Sequence, residues 1–425
     1  MRAVAAVAWA VLLPMFTSAF WAGQGPQAPA ESRLREYSIY CEPNSGCEAE
    51  ASPAARRVAV SGTYAGKDRL SVSVYEYPEA QAQTPLPILT MSAQRGGIRW
   101  PRPYPTVEPF LRYSPDGRML MVYDVVGRVH IFALESTPPR EVRTIDLGLS
   151  EERPSLQPVD MEWSPHGGRI AVIFSFKIFH EGIVRVYEVA TGRLKWERHC
   201  DFVEVGGESW SPDGRMLAVT LVSGDPHNPA YPRWASTNLV ILDGESGAVL
   251  LQIDTGDLAG PVCMGPENTV VTAPVHLQPR GQDRWHHEVA KVWDARTGSL
   301  VRRIVSPGRD IHDRLELSAD GRVLLGYVAK EKSGFVWHYL EDANRAMDRV
   351  FQLFDYKTGR VIATSPNLAR EGFCGQSAEV WQLDPRVPAF RLGPDGRRVL
   401  VYWPYSGCAP SVFEVEGVDP LLNFK

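Results

Sequence analysis

The chain has six cysteines in 425 residues, no Cys-x-x-Cys pair and no Cys/His spacing of the zinc-site kind. A metal held by thiolates is therefore not expected. Neither His-x-His nor His-Glu-x-x-His occurs, and there is no P-loop or dinucleotide-type glycine run. A Gly-x-Ser-x-Gly nucleophile elbow is also missing. The nearest stretch, Gly207-Glu208-Ser209-Trp210-Ser211, lacks the closing glycine. Basic residues are not in excess: 45 Lys and Arg stand against 50 Asp and Glu, for a net charge of −5. Nucleic acid is excluded as a default partner, because it needs a basic stripe for its phosphates. What is present is a core. Apolar residues make up 44% and charged residues 22%, which rules out wholesale disorder and a multi-span membrane protein.

The N-terminus sets an expected compartment. Met1-Arg2 precedes an uncharged stretch from Ala3 to Ala22, and Thr17-Ser18-Ala19 places small residues where a signal peptidase reads. Residues 1–22 are read as a signal peptide. The alternative is an uncleaved anchor, since about 20 uncharged residues can span a bilayer. Residues 23–35 are Pro/Ala-rich and read as a linker. The rest of the chain is then secreted or periplasmic, or membrane-anchored by residues 3–22. Six cysteines, an even number, agree with an oxidising compartment. Cys41 and Cys47 are close enough to clip one loop, Cys374 and Cys408 fall in loops on one side of the fold, and by elimination Cys200 pairs with Cys263.

A turn recurs through the chain: Tyr113-Ser-Pro-Asp-Gly-Arg118, Trp163-Ser-Pro-His-Gly-Gly-Arg169, Trp210-Ser-Pro-Asp-Gly-Arg215, Met264-Gly-Pro-Glu-Asn268, Leu317-Ser-Ala-Asp-Gly-Arg322 and Leu392-Gly-Pro-Asp-Gly-Arg397. The first four lie about 47 to 54 residues apart, within reach of a four-stranded repeat. Proline presets one turn dihedral, aspartate bonds the backbone beyond it, and glycine accepts a positive φ. Strand-like runs follow, such as Arg215 to Val222, Leu239 to Asp243 and Val289 to Asp294, with second turns at Ala190-Thr-Gly192, Gly244 to Gly247, Ala295 to Gly298 and Tyr356 to Gly359. With the strand before each Ser-Pro-Asp-Gly turn, every repeat has four antiparallel strands. Trp163 and Trp210, at equivalent inner-strand positions, read as packing residues.

Repeats of this kind close into a β-propeller. The Trp-Ser-Pro-Asp-Gly-Arg turn resembles the TolB-like repeat, and Val292-Trp293-Asp294 resembles the WD40 signature strand. The resemblance spans residues 58–416 and departs from WD40 repeats in lacking Gly-His openers. It implies an all-β, seven-bladed propeller of four-stranded antiparallel blades over residues 36–425. The segment Glu36 to Cys41 is either the innermost strand of the first blade or the strand that completes the last one.

In this topology the two kinds of short turn share one face, and the loops between second and third strands share the other. Four of those loops are long: 176–182, 223–236, 276–288 and 330–348. They belong to consecutive blades three to six. Loops on a rigid scaffold are the usual carriers of binding residues. Tyr231, Arg233, Trp234, Arg284, Trp285, Trp337 and Tyr339 are the expected contacts, being aromatic and Arg types favoured in interface cores. His227, His286, His287 and His338 are weaker, metal-ligating candidates on the same loops. No catalytic residue and no cofactor is assigned; Glu341 and Asp342 are the only acids there worth testing. The reading is a module that binds a protein of the cell envelope or extracellular space, rather than an enzyme. The alternative is an enzyme or a metal- or cofactor-binding propeller with its site at the mouth of the central channel. Any membrane contact is through an uncleaved N-terminal segment.

Overall fold

The computed structural model describes residues 33–38, 45–52, 57–64, 69–76, 86–92, 111–124, 127–136, 139–149, 157–176, 181–201, 204–223, 236–255, 259–274, 288–305, 310–311, 315–318, 320–331, 347–365, 389–393, 396–402 and 411–416. The N-terminal segment 1–31, with the expected signal and most of the linker, lies outside them. So do Cys41, Cys374 and Cys408.

Among the described residues all regular structure apart from one short 3-10 turn is β. Six blades follow one another along the chain. Blade 1 contains β2 (Ser45–Ala51), β3 (Arg57–Tyr64), β4 (Arg69–Glu76) and β5 (Leu86–Ser92). Blade 2 contains β6 (Leu111–Tyr113), β7 (Met119–Tyr123), β8 (Arg128–Ala133) and β9 (Arg140–Asp146). Blade 3 contains β10 (Gln157–Trp163), β11 (Arg169–Phe176), β12 (Glu181–Glu188) and β13 (Leu194–Asp201). Blade 4 contains β14 (Glu204–Trp210), β15 (Met216–Ser223), β16 (Ser236–Asp243) and β17 (Val249–Asp254). Blade 5 contains β18 (Ala259–Met264), β19 (Thr269–Pro274), β20 (Glu288–Asp294) and β21 (Leu300–Val305). In blade 6 the inner strand is split into β22 (Asp310–Ile311) and β23 (Leu315–Leu317), both paired with β24 (Val323–Glu331), ahead of β25 (Met347–Asp355) and β26 (Val361–Thr364). A further sheet joins the two ends of the chain: β27 (Ala389–Leu392), β28 (Arg398–Tyr402) and β29 (Ser411–Glu416) accept β1 (Arg33–Ser38) as their outer strand. Of the two placements open for the N-terminal segment, the structure takes completion of the last sheet, with Arg33 opposite Glu416 and Ser38 opposite Ser411. The innermost strand of blade 1 is instead β2.

Innermost strands touch their neighbours in order around the ring, β2 to β6, β10, β14, β18, β23, β27 and back to β2. Between adjacent blades lie apolar clusters. Met121, Tyr123, Ile131 and Ile145 of blade 2 pack on Met161, Trp163, Ile170, Val172 and Phe174 of blade 3. Each such aliphatic or aromatic side chain contributes roughly 1.5–3 kcal/mol when fully buried. Trp163 and Trp210 end their inner strands and are buried, as expected of packing residues.

The repeated turn works as its residues suggest. In blade 4 the Ser211 hydroxyl donates to Asp213 Oδ1 (2.6 Å) and accepts from the Met216 N–H (2.9 Å), and the Arg215 N–H donates to Asp213 (3.1 Å). Gly214 takes φ +66°. Blades 2 and 6 repeat the arrangement with Ser114/Asp116 and Ser318/Asp320. In blade 5, where Asn268 stands at the position that Gly214 holds in blade 4, Glu267 and Asn268 carry the positive φ instead.

The second turn locks neighbouring blades. Trp196 of β13 donates its indole N–H to Gly244 O of blade 4 (3.2 Å), and Arg198 reaches Gly247 O (3.3 Å). Gly247 has φ +71°, and a Cβ there would stand 2.6 Å from the Trp196 ring. Gly247→Ala is therefore expected to destabilise by roughly 2–4 kcal/mol, adding left-handed backbone strain to a clash inside a packed junction. Urea unfolding of the variant checks this; a change within about 0.5 kcal/mol, typical of an unconstrained surface site, would contradict it.

Candidate functional site

Two places on the scaffold come into view, one at the rim and one at the centre. In blades 3 to 6 the second and third strands run to the end opposite the short turns. Phe176 stands opposite Glu181, Ser223 opposite Ser236, and Glu331 opposite Met347. The long connections of blades 4, 5 and 6 thus spring from one rim, with their roots in paired strands. In blade 3 the strands pair as far as Phe176 and Glu181, so the expected 176–182 insertion reduces to the four residues 177–180. Tyr231, Arg233, Trp234, Arg284, Trp285, Trp337 and Tyr339 lie outside the described residues, as do His227, His286, His287, His338, Glu341 and Asp342.

At the centre the structure assembles a polar girdle that sequence reasoning missed. Counting back two positions from the turn serine, or from its glycine counterpart, the inner strands place Glu50, Arg112, Glu162, Ser209, Cys263, Glu316 and Arg391. These side chains reach toward the next blade. Glu162 accepts the Trp210 N–H (3.1 Å), Ser209 Oγ accepts the Met264 N–H (3.1 Å), and Glu316 accepts the Leu392 N–H (2.6 Å). Arg391 donates to Glu50 (2.9 Å) and to Glu316 (2.7 Å), bridging the closing sheet to the blades on both sides. Arg112 donates to Asp160 (3.0 Å) and lies 3.8 Å from Glu50. The serine of the near-miss elbow is therefore an inter-blade acceptor rather than an activated nucleophile. The signal was available: aligning the repeats on their turns shows a charged residue at one fixed position in five of the seven inner strands.

Glu208 breaks the pattern. It lies opposite Val219, the register position held by Leu111, Met161, Val262, Leu315 and Phe390 in other blades, all of them buried. Glu208 is 7% exposed, and neither carboxylate oxygen has a hydrogen-bond partner among the described residues. Burial, with Asp160 and Glu162 adding like charge, holds its pKa well above the carboxylate range. Burial, aided by Asp160, pushes Glu162 from its ordinary 4.5 up to about 8. Glu50 is raised too, by burial that Arg391 and Arg112 only partly offset.

These shifts have a sign. A carboxyl group whose pKa is higher folded than unfolded binds more protons in the native state, so stability falls as pH rises between the two values. For Glu162 the window runs from 4.5 to about 8. The turn aspartates work in the opposite direction at lower pH: the Ser211 hydroxyl holds Asp213 below its usual range, and that contribution is lost on acidification. Urea midpoints are expected to be higher near pH 5.5 than near pH 8.5, with a smaller difference in Glu162→Gln. A midpoint that rises with pH across this window would contradict the assignment.

The expected Cys200–Cys263 disulfide is not formed. Cys200 lies on β13, the outermost strand of blade 3, whereas Cys263 lies on the innermost strand of blade 5 and is buried. Elimination by sequence had no means of knowing that one lies at the perimeter and the other at the centre. Burial, with Glu316 and Glu162 nearby, pushes the Cys263 thiol far up, so it is not a ready nucleophile.

Among the described residues no group of three His, Cys, Asp or Glu side chains is placed to hold a metal ion. No protein-family model matches the chain, and no curated protein is significantly similar to it. The resemblance to WD40 and TolB-like repeats expected from the turns gains no support from these comparisons. The structure shows a β-propeller arrangement of small antiparallel sheets.

Proposed function

We propose that the protein is an exported binding module, a seven-bladed propeller when the sheet shared by the chain ends is counted as a blade. Its partner is a protein of the cell envelope or extracellular space, engaged by the rim of blades 3 to 6. One observation carries this reading: the long connections of three consecutive blades, 4 to 6, share a rim. Their sequences concentrate Trp, Tyr and Arg, and a rigid ring presents them without ordering cost to the core. The uncharged stretch Ala3 to Ala22 supports export, and with it a secreted or periplasmic location or an N-terminal anchor.

Affinity capture with the mature protein, and with variants lacking 224–235 or 332–346, tests the proposal. Each deletion is expected to lose the captured partner while the β-type circular dichroism and the unfolding midpoint are retained. Identical partners from wild type and both deletions would overturn it.

A further inference from the structure

The centre of the ring carries an excess of acid that the fold does not use. Glu50, Asp160, Glu162, Glu208 and Glu316 face the guanidiniums of Arg112 and Arg391. Both arginines are already engaged by other carboxylates, Arg391 by Glu50 and Glu316, and Arg112 by Asp160 on β10 with Glu50 close by. At the junction of blades 3 and 4, Glu162 has one backbone N–H and Glu208 has neither oxygen satisfied.

A buried carboxyl group without partners costs stability, and the repeat shows the inexpensive alternative, since five other blades place an apolar residue at the same register. Local rules are broken in this way where a site is kept for something else. The charged groups around Glu208 are Asp160 and Glu162 on β10, Arg112 on β6 and Arg391 on β27. On its own blade it faces Val219.

We propose that Glu208, with Glu162 beside it, binds a cationic nitrogen group, an ammonium or guanidinium, at the centre of the ring between blades 3 and 4. The N–H bonds of such a cation point in several directions, so it can donate to the Glu208 carboxylate on one blade and to a carboxyl oxygen of Glu162, which keeps its proton, on the other. These acids are not grouped as one metal ion requires. The cation comes from a free amine or from the tip of a basic side chain on a partner. Binding exchanges charge for charge: the cation enters, Glu208 becomes a carboxylate, and its proton leaves to solvent. This site is independent of the rim, and deleting the rim loops leaves it in place.

Titration calorimetry with agmatine, with the blocked peptide acetyl-Gly-Arg-Gly-amide and with calcium chloride tests the inference, each in cacodylate and in MOPS buffer, which differ in ionisation enthalpy. Saturable one-to-one binding of agmatine, of the peptide or of both is expected, with about one proton released per ligand. Agmatine alone identifies a small amine as the source, and the peptide alone a partner's arginine. Affinity should rise up to about tenfold per pH unit between about pH 6 and 8, as the proton becomes easier to displace. Glu208→Leu should weaken binding at least about tenfold, and Glu208→Gln should abolish proton release, with circular dichroism unchanged in both. The inference is overturned if neither nitrogen probe binds at up to about 10 mM, if Glu208→Leu binds like wild type, or if calcium alone binds.

Discussion

Arg391→Met is expected to lose about 3–4 kcal/mol of stability, the lower part of the range for breaking a buried ion pair, because the arginine keeps 19% exposure. The loss comes from the two carboxylates left behind rather than from the arginine's own attraction. Glu50 is only 14% exposed and has Arg391 as its nearest cation, at 2.9 Å against 3.8 Å for Arg112. Glu316 keeps the Leu392 N–H but loses its guanidinium. The residue also spans the place where the ring closes, so this defect falls between the last sheet and blades 1 and 6. The penalty should shrink as pH falls, since Glu50, already raised by burial, then takes up its proton. Urea unfolding near pH 8 and near pH 5 measures both effects. A loss below about 1 kcal/mol, the value of an exposed pair, would show that the girdle does not hold the closure.

Glu208→Leu should move stability the other way, gaining roughly 1–3 kcal/mol near neutral pH. The leucine matches Leu111 and Leu315 at the same register and removes two unsatisfied oxygens. The gain should grow as pH rises, because the wild-type carboxyl group, raised by burial and by Asp160 and Glu162, becomes increasingly costly to keep neutral. Equal or lower stability of the leucine variant at pH 8 would mean that Glu208 has a stabilising partner. Two channel substitutions with opposite signs separate the charges that close the ring from the charge that the ring merely tolerates.

How much of this was legible depended on range. The turns were readable because their chemistry is local: Ser211, Asp213 and Gly214 act within six residues of one another. The strands after them were readable for the same reason, with Arg215 to Val222 observed as Met216–Ser223. The first blade was harder. Ser45–Ala51 is rich in small and acidic residues with little strand preference, and it is a strand because Val58, Val60 and their neighbours pair with it along its whole length. The partner of Arg33–Ser38 lies at the far end of the chain, and no periodicity within six residues reveals that. The central girdle was hidden for a different reason. Within one strand a charge says nothing of its level, as Glu48 and Glu50 or Asp160 and Glu162 show, and only superposition of the repeats shows that they share one. The Cys200–Cys263 expectation failed because cysteine counting ignores which strand of a blade is inner and which is outer.

Closure of the ring by strands from both chain ends fixes the long loops on one rim and the charged girdle at the centre. Arg35 and Glu414 face each other across β1 and β29. Directly opposed residues of an antiparallel pair have Cα atoms about 4.5–5.5 Å apart, within disulfide range. The double variant Arg35→Cys, Glu414→Cys, oxidised and digested, is predicted to yield a peptide pair linked through positions 35 and 414 by mass spectrometry. If position 35 stays reduced, or links elsewhere while position 414 labels freely, the chain ends do not meet and the ring is not closed as described.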